Sequence, residues 1–540
     1  MVKPSIVLSS VAAAVTIIVI IATAMIFNFN IPPPIKISEE SPNGKNFTGG
    51  LGLKVPVPIP SGSSPYIKEY DLPRKEIWPN GIAVDENNTI WFIGTKSNSL
   101  FNFKIDESAG SSRGIFEEFY IPDNSSGNSI IMGWDVAIDN KEGIIWFTDD
   151  RSGAIWKFSS SDEEFKKIKL STNSTNGFAI LPIQITTDDG NNFVSFTELY
   201  GNKIGLILPE SDSVFEFSPP TNNSGPSGIF IKEEQDSDDN DGYIWFTEAL
   251  SNKIARYHYD DDKNSIRNTI ENASRSERLK KIEEFTPSKQ LNSPVGIFID
   301  KKENIWVTEH GSSFIARYNI ENDTVFRFAT SRYEPQIITL PYWIQSDIND
   351  NVWFTEHAGN RIAMFNTTDY TLTEYEIPTR DPKGGYLSNT MSLSVAPDGS
   401  IWFTEWTEDK IGVVDPRVSI PFEIIPLNNE INISRGDYTD VMVNINARGC
   451  MSIKGNSTSN NTILMLKTSG TETPSGRLFN LTATFDPEKI TVPINSGSTV
   501  RTAKLTIKTD DSMKPGDYTI TVSASDGFVT RSAIIKLYVK

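Results

Sequence analysis

Val194-Ser195-Phe196-Thr197-Glu198-Leu199-Tyr200-Gly201-Asn202-Lys203-Ile204-Gly205 reads as an apolar strand, a Gly-Asn turn and the start of a second apolar strand. The core of this phrase returns as Ile90-Trp91-Phe92, Ile145-Trp146-Phe147, Ile244-Trp245-Phe246, Ile305-Trp306-Val307, Val352-Trp353-Phe354 and Ile401-Trp402-Phe403, at intervals of 47 to 61 residues. Five of the seven copies continue into Thr-Glu. Repeats of this length build propellers or solenoids.

Working outward, each repeat divides into four short strands. An apolar segment after Pro or Gly comes first, as in Pro226-Ser227-Gly228-Ile229 and Pro294-Val295-Gly296-Ile297. The Trp-Phe and Lys-Ile strands follow, then a segment of period-two alternation such as Leu372-Thr373-Glu374-Tyr375-Glu376-Ile377. Alternation bounded by Pro, Gly and Asn marks half-buried antiparallel strands, and four of them per repeat make a propeller blade. The last repeat, Met391 to Val414, holds three strands, while Tyr66 to Pro73 supplies a spare fourth strand ahead of the first. The N-terminal strand is therefore expected to complete the last blade, hiding a sheet edge that would otherwise invite aggregation.

Ile6 to Phe27 are 22 residues without a charge, enough at about 1.5 Å per residue to cross a bilayer core of roughly 30 Å. Ala22-Thr23-Ala24 also resembles a signal-peptide cleavage site, but the length favours an anchor. Both readings put the body outside the cytoplasm, at the cell membrane or secreted. Twelve Asn-X-Ser/Thr sequons agree with a glycosylated surface protein. The net charge of −19 repels phosphate backbones, which disfavours nucleic acid as a partner. Cys450 is the sole cysteine, so stability comes from the core and not from an internal disulfide.

The expected fold is all-β: a seven-bladed β-propeller and a C-terminal immunoglobulin-like β-sandwich, preceded by one N-terminal transmembrane helix. Its divisions are a cytoplasmic N-terminus (1–5), the anchor (6–27), a flexible Pro-, Gly- and Ser-rich linker (28–64), the propeller (65–415) and the sandwich (416–540). About seven strands are expected in the sandwich, from runs such as Ala503-Lys504-Leu505-Thr506-Ile507.

The repeated Trp-Phe-Thr-Glu and Gly-Asn-Lys-Ile-Gly phrases, with Pro-X-Gly-Ile before them, resemble the virginiamycin B lyase (streptogramin lyase) family of seven-bladed propellers over residues 66–414. The resemblance implies magnesium held by carboxylates and a histidine general base, placed after the Pro that opens the inner strand of the last blades, which opens a cyclic depsipeptide by elimination. At those points this chain has Val295 after Pro294, Tyr342 after Pro341, and Met391. Val and Met take no proton, and Tyr with a reference pKa of about 10 is a poor base. Ligand recognition at the cell surface is thus the favoured function. The alternatives are a divergent metal-dependent lyase or lactone hydrolase acting on a cyclic ester, and a structural envelope component.

Two of the three histidines, His310 and His357, directly follow the Thr-Glu of the fifth and sixth repeats. They are expected as exposed loop residues sharing a channel face with Tyr342 and Trp343, with Glu309 and Glu356 orienting them and Glu405 in the same carboxylate set. These seven residues form the candidate site for a small molecule, glycan or surface protein. Glu198 and Glu248 read better as turn caps or partners of the following Lys. A separate acidic hairpin offers Asp236, Asp239 and Asp241 as calcium candidates. Glu248, at the far end of the next strand, is too distant to close that loop.

Overall fold

A computed structural model describes residues 53–57, 62–106, 113–122, 131–171, 180–188, 192–233, 242–259, 281–332, 338–379, 389–448, 461–493 and 497–540. The expected anchor at 6–27 and the calcium candidates Asp236, Asp239 and Asp241 lie outside them. Every regular element among the described residues is a β-strand. None of these residues forms a helix long and apolar enough to cross a membrane.

Seven four-stranded antiparallel units recur. Their inner strands are Pro79–Val84, Val136–Asp139, Pro182–Thr187, Pro226–Glu233, Pro294–Ile299, Pro341–Ser346 and Leu393–Val395, in blades one to seven. Each inner strand contacts the next, and the seventh contacts the first. The chain is therefore a closed β-propeller. Closure follows the expected route, since Ile67–Asp71 pairs antiparallel with Lys410–Val414 as the fourth strand of blade seven.

The repeated phrase explains the packing. Its tryptophans are buried and bridge blades: Trp306 lies 5.9 Å from Phe328 in its own blade and 5.4 Å from Phe365 in the next. Its phenylalanines face inward within a blade, where a Cβ at Gly205 would collide with the Phe196 ring. Burying each such ring contributes roughly 1.5–3 kcal/mol. The threonine is a staple. Blades three to six carry a register shift in the inner strand, for example between Pro294 and Ile297, and a bulge of this kind leaves a backbone amide without its ladder partner. The threonine hydroxyl accepts that amide, as from Gly228 to Thr247 (2.8 Å), Gly296 to Thr308 (2.9 Å) and Trp343 to Thr355 (3.1 Å). The same hydroxyl donates to the next blade's inner strand, Thr247 to the Val295 carbonyl (3.1 Å) and Thr308 to the Tyr342 carbonyl (2.6 Å).

Two expectations are corrected. The 28–64 linker is not free throughout: Leu53–Val57 adds a fifth strand to the outer edge of blade one, and Gly62–Ser63 pairs with Ile67–Asp71. An extended segment beside an unpaired edge gains ladder hydrogen bonds, which outweighs its Pro- and Gly-rich composition. The described residues of the C-terminal region hold nine strands, where about seven were expected, in two sheets. One contains Phe422–Pro426, Tyr438–Ala447, Leu481–Asp486 and Thr499–Thr509; the other contains Asn461–Gly470, Lys489–Pro493, Gly516–Ser525 and Val529–Val539, with Glu430–Ile433 parallel to the last.

This module is fastened to the propeller. Val529–Val539 pairs with Leu372–Glu376, the outer strand of blade six. On blade five, module hydroxyls cap edge carbonyls: Thr519 to Arg327 (2.9 Å), Thr521 to Ala329 (2.7 Å) and Ser469 to Thr330 (2.7 Å). These bonds satisfy acceptors that an open edge strand would leave to solvent.

Candidate functional site

The site is set by how each inner strand begins. The residue before the strand takes a left-handed conformation in five blades, Trp78 (φ 56°), Leu181 (53°), Gly225 (68°), Ser293 (51°) and Leu340 (51°), and in blade seven Asn389 (51°), four positions ahead of Leu393, does so. Its carbonyl then accepts the amide of the residue following Thr-Glu, as from His310 to Ser293 (3.0 Å) and His357 to Leu340 (3.2 Å). The residue after Thr-Glu and the residue after Pro thus meet at one mouth of the central channel.

At blades five and six this brings four expected residues together. The His310 Nδ1 lies 3.3 Å from the Pro341 carbonyl. Its ring is 5.0 Å from Tyr342 and 6.1 Å from His357, and Tyr342 is 5.8 Å from Trp343. A carbonyl only accepts, so Nδ1–H of His310 donates to it and Nε2 is left as an acceptor in the neutral ring. Burial lowers the His310 pKa to about 4, against the opposing effect of the Pro341 and Leu340 carbonyls. Burial and the neighbouring His310 lower His357 to about 3. Both rings are neutral at pH 7. The Nδ1 of His357 has no hydrogen-bond partner among the described residues.

The histidines are buried, with 3% and 9% exposure, contrary to the expected exposed loop. Their amides complete the bonds to the residue that opens the inner strand, and this holds the loop down in the sheet. Glu309, Glu356 and Glu405 do not join them. Successive residues of an extended chain point to opposite sides, so a glutamate preceding the histidine faces away. Glu309 accepts a two-pronged bond from Arg327 (2.7–3.0 Å). Glu356 lies 3.8 Å from Arg361, which also reaches Glu374 and Glu376. Glu405 belongs with Glu69 and Lys410.

A pattern emerges in which a Thr-Glu carboxylate and a fourth-strand carboxylate share one cation, as in Glu198–Lys203–Glu216 and Glu356–Arg361–Glu374. The pKa values of Glu198, Glu356 and Glu405 are raised well above the ordinary range, first by burial and then by the neighbouring carboxylate. Magnesium needs hard oxygen donors that are ionised and convergent. These carboxyls are engaged with cations, burial disfavours their ionised form, and no group of three His, Cys, Asp or Glu among the described residues is placed to hold a metal ion. The residues present do not fit the magnesium that the resemblance implies.

Two acidic residues at the channel escaped the sequence reading. Asp150 follows Asp149 at the offset of His310 and His357, and burial raises it to about 6 despite Arg151; the offset itself was the available signal. Asp135 lines an axial cavity of about 450 Å³ with Gln184, Trp343 and Gln345. Burial raises it to about 8, although it accepts the Ile185 and Val136 amides. No phrase in the sequence marks it, because blade two opens on Gly133-Trp134 without the usual Pro.

Residues 280–432 match the Virginiamycin B lyase family, a stretch that takes in blades five and six, the three C-terminal strands of blade seven and the first strand of the C-terminal module. Among solved structures, the virginiamycin B lyase of Staphylococcus aureus is 23% identical, over 65% of this chain and 99% of that one, with a TM-score of 0.48. A catalytically inactive variant of that enzyme with Quinupristin gives 23% over 64% and 98%, at 0.48. A streptogramin B lyase is 24% identical over 65% and 97%, at 0.48. No curated protein matches the chain.

Proposed function

We propose that this chain is a recognition protein of the extracytoplasmic cell surface. Residues 6–27 hold it to the membrane, residues 416–540 form an immunoglobulin-like module, and the propeller mouth at blades five and six binds a small polar, ring-bearing ligand. The observation that carries this reading is the cluster of His310, Tyr342 and His357, which offers an unpaired imidazole nitrogen beside aromatic faces. His357 and Tyr342 keep 9% and 8% exposure, the part that a ligand inserted into the mouth would cover.

Binding suits these groups better than turnover. A general base works best with a pKa near the operating pH, whereas His310 and His357 are pushed to about 4 and 3 by burial. The Tyr342 hydroxyl is raised, by burial first and the Asp135 charge second, so it donates a hydrogen bond and does not ionise. Neutral imidazoles and a neutral phenol make a hydrogen-bonding site without net charge.

The test is a thermal-shift screen of the full-length chain against a cyclic depsipeptide and glycan panel, with His357→Ala and Tyr342→Phe compared with wild type. A ligand that raises the melting temperature of wild type and of neither variant supports the reading. Equal shifts in all three proteins remove the site from the mouth of blades five and six.

A further inference from the structure

The central channel has a second end, away from the histidines. The third residue of the Pro-X-Gly opening is glycine in blades one, four and five, as Gly81, Gly228 and Gly296. The next blade leaves little room there, since a Cβ at Gly228 would sit 2.2 Å from the Val295 carbonyl oxygen. Blades two, three and six break the pattern with Asp135, Gln184 and Trp343, and all three line the axial cavity of about 450 Å³. The cavity runs to the C-terminal ends of the inner strands, where Asn140, Asp347 and the 88% exposed Ile348 form its rim. It therefore opens on the face opposite His310 and His357. On the histidine side Trp134, Ile183, Val295, Tyr342 and Met391, each at the place after the opening Pro or its equivalent, belong to one buried apolar cluster that caps the channel.

The cavity has two kinds of wall. Phe230, Phe298 and Trp343 give an aromatic side, and Asp135, Gln184 and Gln345 give a polar side. The polar groups are held in place by the next blade: Gln184 Oε1 accepts the Ile229 amide at 2.8 Å and Gln345 Oε1 accepts the Val395 amide at 3.0 Å. Each oxygen is thus engaged, while each side-chain NH2 has no acceptor among the described residues. Gln184 is 9% exposed, and the cavity is where its amide hydrogens can be met. Asp135 is fixed in the same way by the Val136 and Ile185 amides, at 2.8 and 2.9 Å. Burial favours its neutral form, so the carboxyl sets an O–H donor beside a C=O acceptor.

We propose that this cavity binds a neutral planar heterocycle with a ring imide, its face on Trp343 and Phe230, its carbonyls bonded to Gln184 and Gln345 and its imide N–H to Asp135. A carboxyl that donates and accepts matches an imide edge, which does both. Other guests fit less well. An anion would meet no Lys, Arg or His in the lining, and a cation would meet a carboxyl whose charged form burial disfavours. The Asp347 carboxylate at the rim is already engaged, accepting the Asn349 and Asn351 amides and the Trp353 indole N–H. A purely apolar guest would leave two side-chain amides unbonded. The cavity lies within the range of about 300–1,000 Å³ usual for small-molecule sites, which leaves room for a substituent on the ring. The site uses none of His310, Tyr342 and His357 and stands without them.

The experiment is isothermal titration calorimetry of the full-length chain with uridine, thymidine and riboflavin, which carry the imide on different arms, and with the N3-methylated form of each. At least one of the three is expected to bind saturably, and its N3-methylated form about ten-fold or more weaker, because the imide N–H is gone. Gln345→Glu keeps an oxygen for the Val395 amide and replaces the NH2 donor by an acceptor, so it should weaken the ligand by a similar factor. The methylated ligands on wild type carry the test if that variant unfolds. Phe479→Ala, which removes an exposed ring on the C-terminal module, should leave affinity unchanged. Absence of saturable binding by all three overturns the proposal, as does equal affinity for the methylated form or unchanged affinity in Gln345→Glu. Loss of binding in His357→Ala with none in Gln345→Glu would move the ligand to the opposite mouth and overturn it as well.

Discussion

Replacing Thr308 by Val tests whether the repeated phrase exists to build blades. The substitution keeps the shape and removes one hydroxyl. That hydroxyl is fully buried, accepts the Gly296 amide at 2.9 Å and donates to the Tyr342 carbonyl at 2.6 Å. Its loss orphans one donor and one acceptor, each unfavourable by about 1–3 kcal/mol, and the gained methyl offsets part of this, leaving about 2–4 kcal/mol of destabilisation. Thr404→Val is the internal control. Its hydroxyl has no hydrogen-bond partner among the described residues, so the same change there should be neutral or slightly stabilising. Urea denaturation of the full-length variants, followed by tryptophan fluorescence, measures both. A Thr308→Val midpoint equal to wild type, or a Thr404→Val loss as large as that of Thr308→Val, would refute the staple.

Three further predictions follow from the same geometry. Deleting residues 66–73 removes the partner of Lys410–Val414 and Glu69 with it, so the product should aggregate or be proteolysed at blade seven, whereas deleting 53–57 should leave the ring closed; limited proteolysis distinguishes the two. Burial, then Glu284, raises Glu248 to about 7 from 4.5, so the fold holds a proton that the unfolded chain releases between those values, and stability falls as pH rises across that window. Glu248→Gln should therefore match wild type at pH 4 and exceed it at pH 8 in urea midpoint. His310 and His357 act with the opposite sign: at about 4 and 3 against 6.5, they stay neutral while the unfolded chain takes up protons, so stability falls on acidification from pH 6.5. A His310→Gln/His357→Gln double variant should show a smaller midpoint change between pH 7 and 4.5.

The architecture was legible because its causes are local and repeated. A Trp that bridges blades, a Thr that staples a bulge and a Gly under a Phe ring each leave a fixed residue at a fixed offset. The spare strand at Ile67–Asp71 could be counted for the same reason. The site was legible only in part. The offset after Thr-Glu placed His310 and His357 beside Tyr342, yet their burial depends on strands that lie far away in sequence. The roles of Glu309, Glu356 and Glu405 were misjudged because adjacency in sequence was read as convergence, although adjacent strand residues diverge.

The most direct test of a recognition site without lyase chemistry is mass spectrometry of a cyclic depsipeptide panel incubated with the full-length chain, with and without magnesium. Val295, Tyr342 and Met391 stand where the resemblance places the base, and the glutamates face cations. The account therefore predicts intact rings in both conditions. Magnesium-dependent ring opening well above a heat-inactivated control would contradict it.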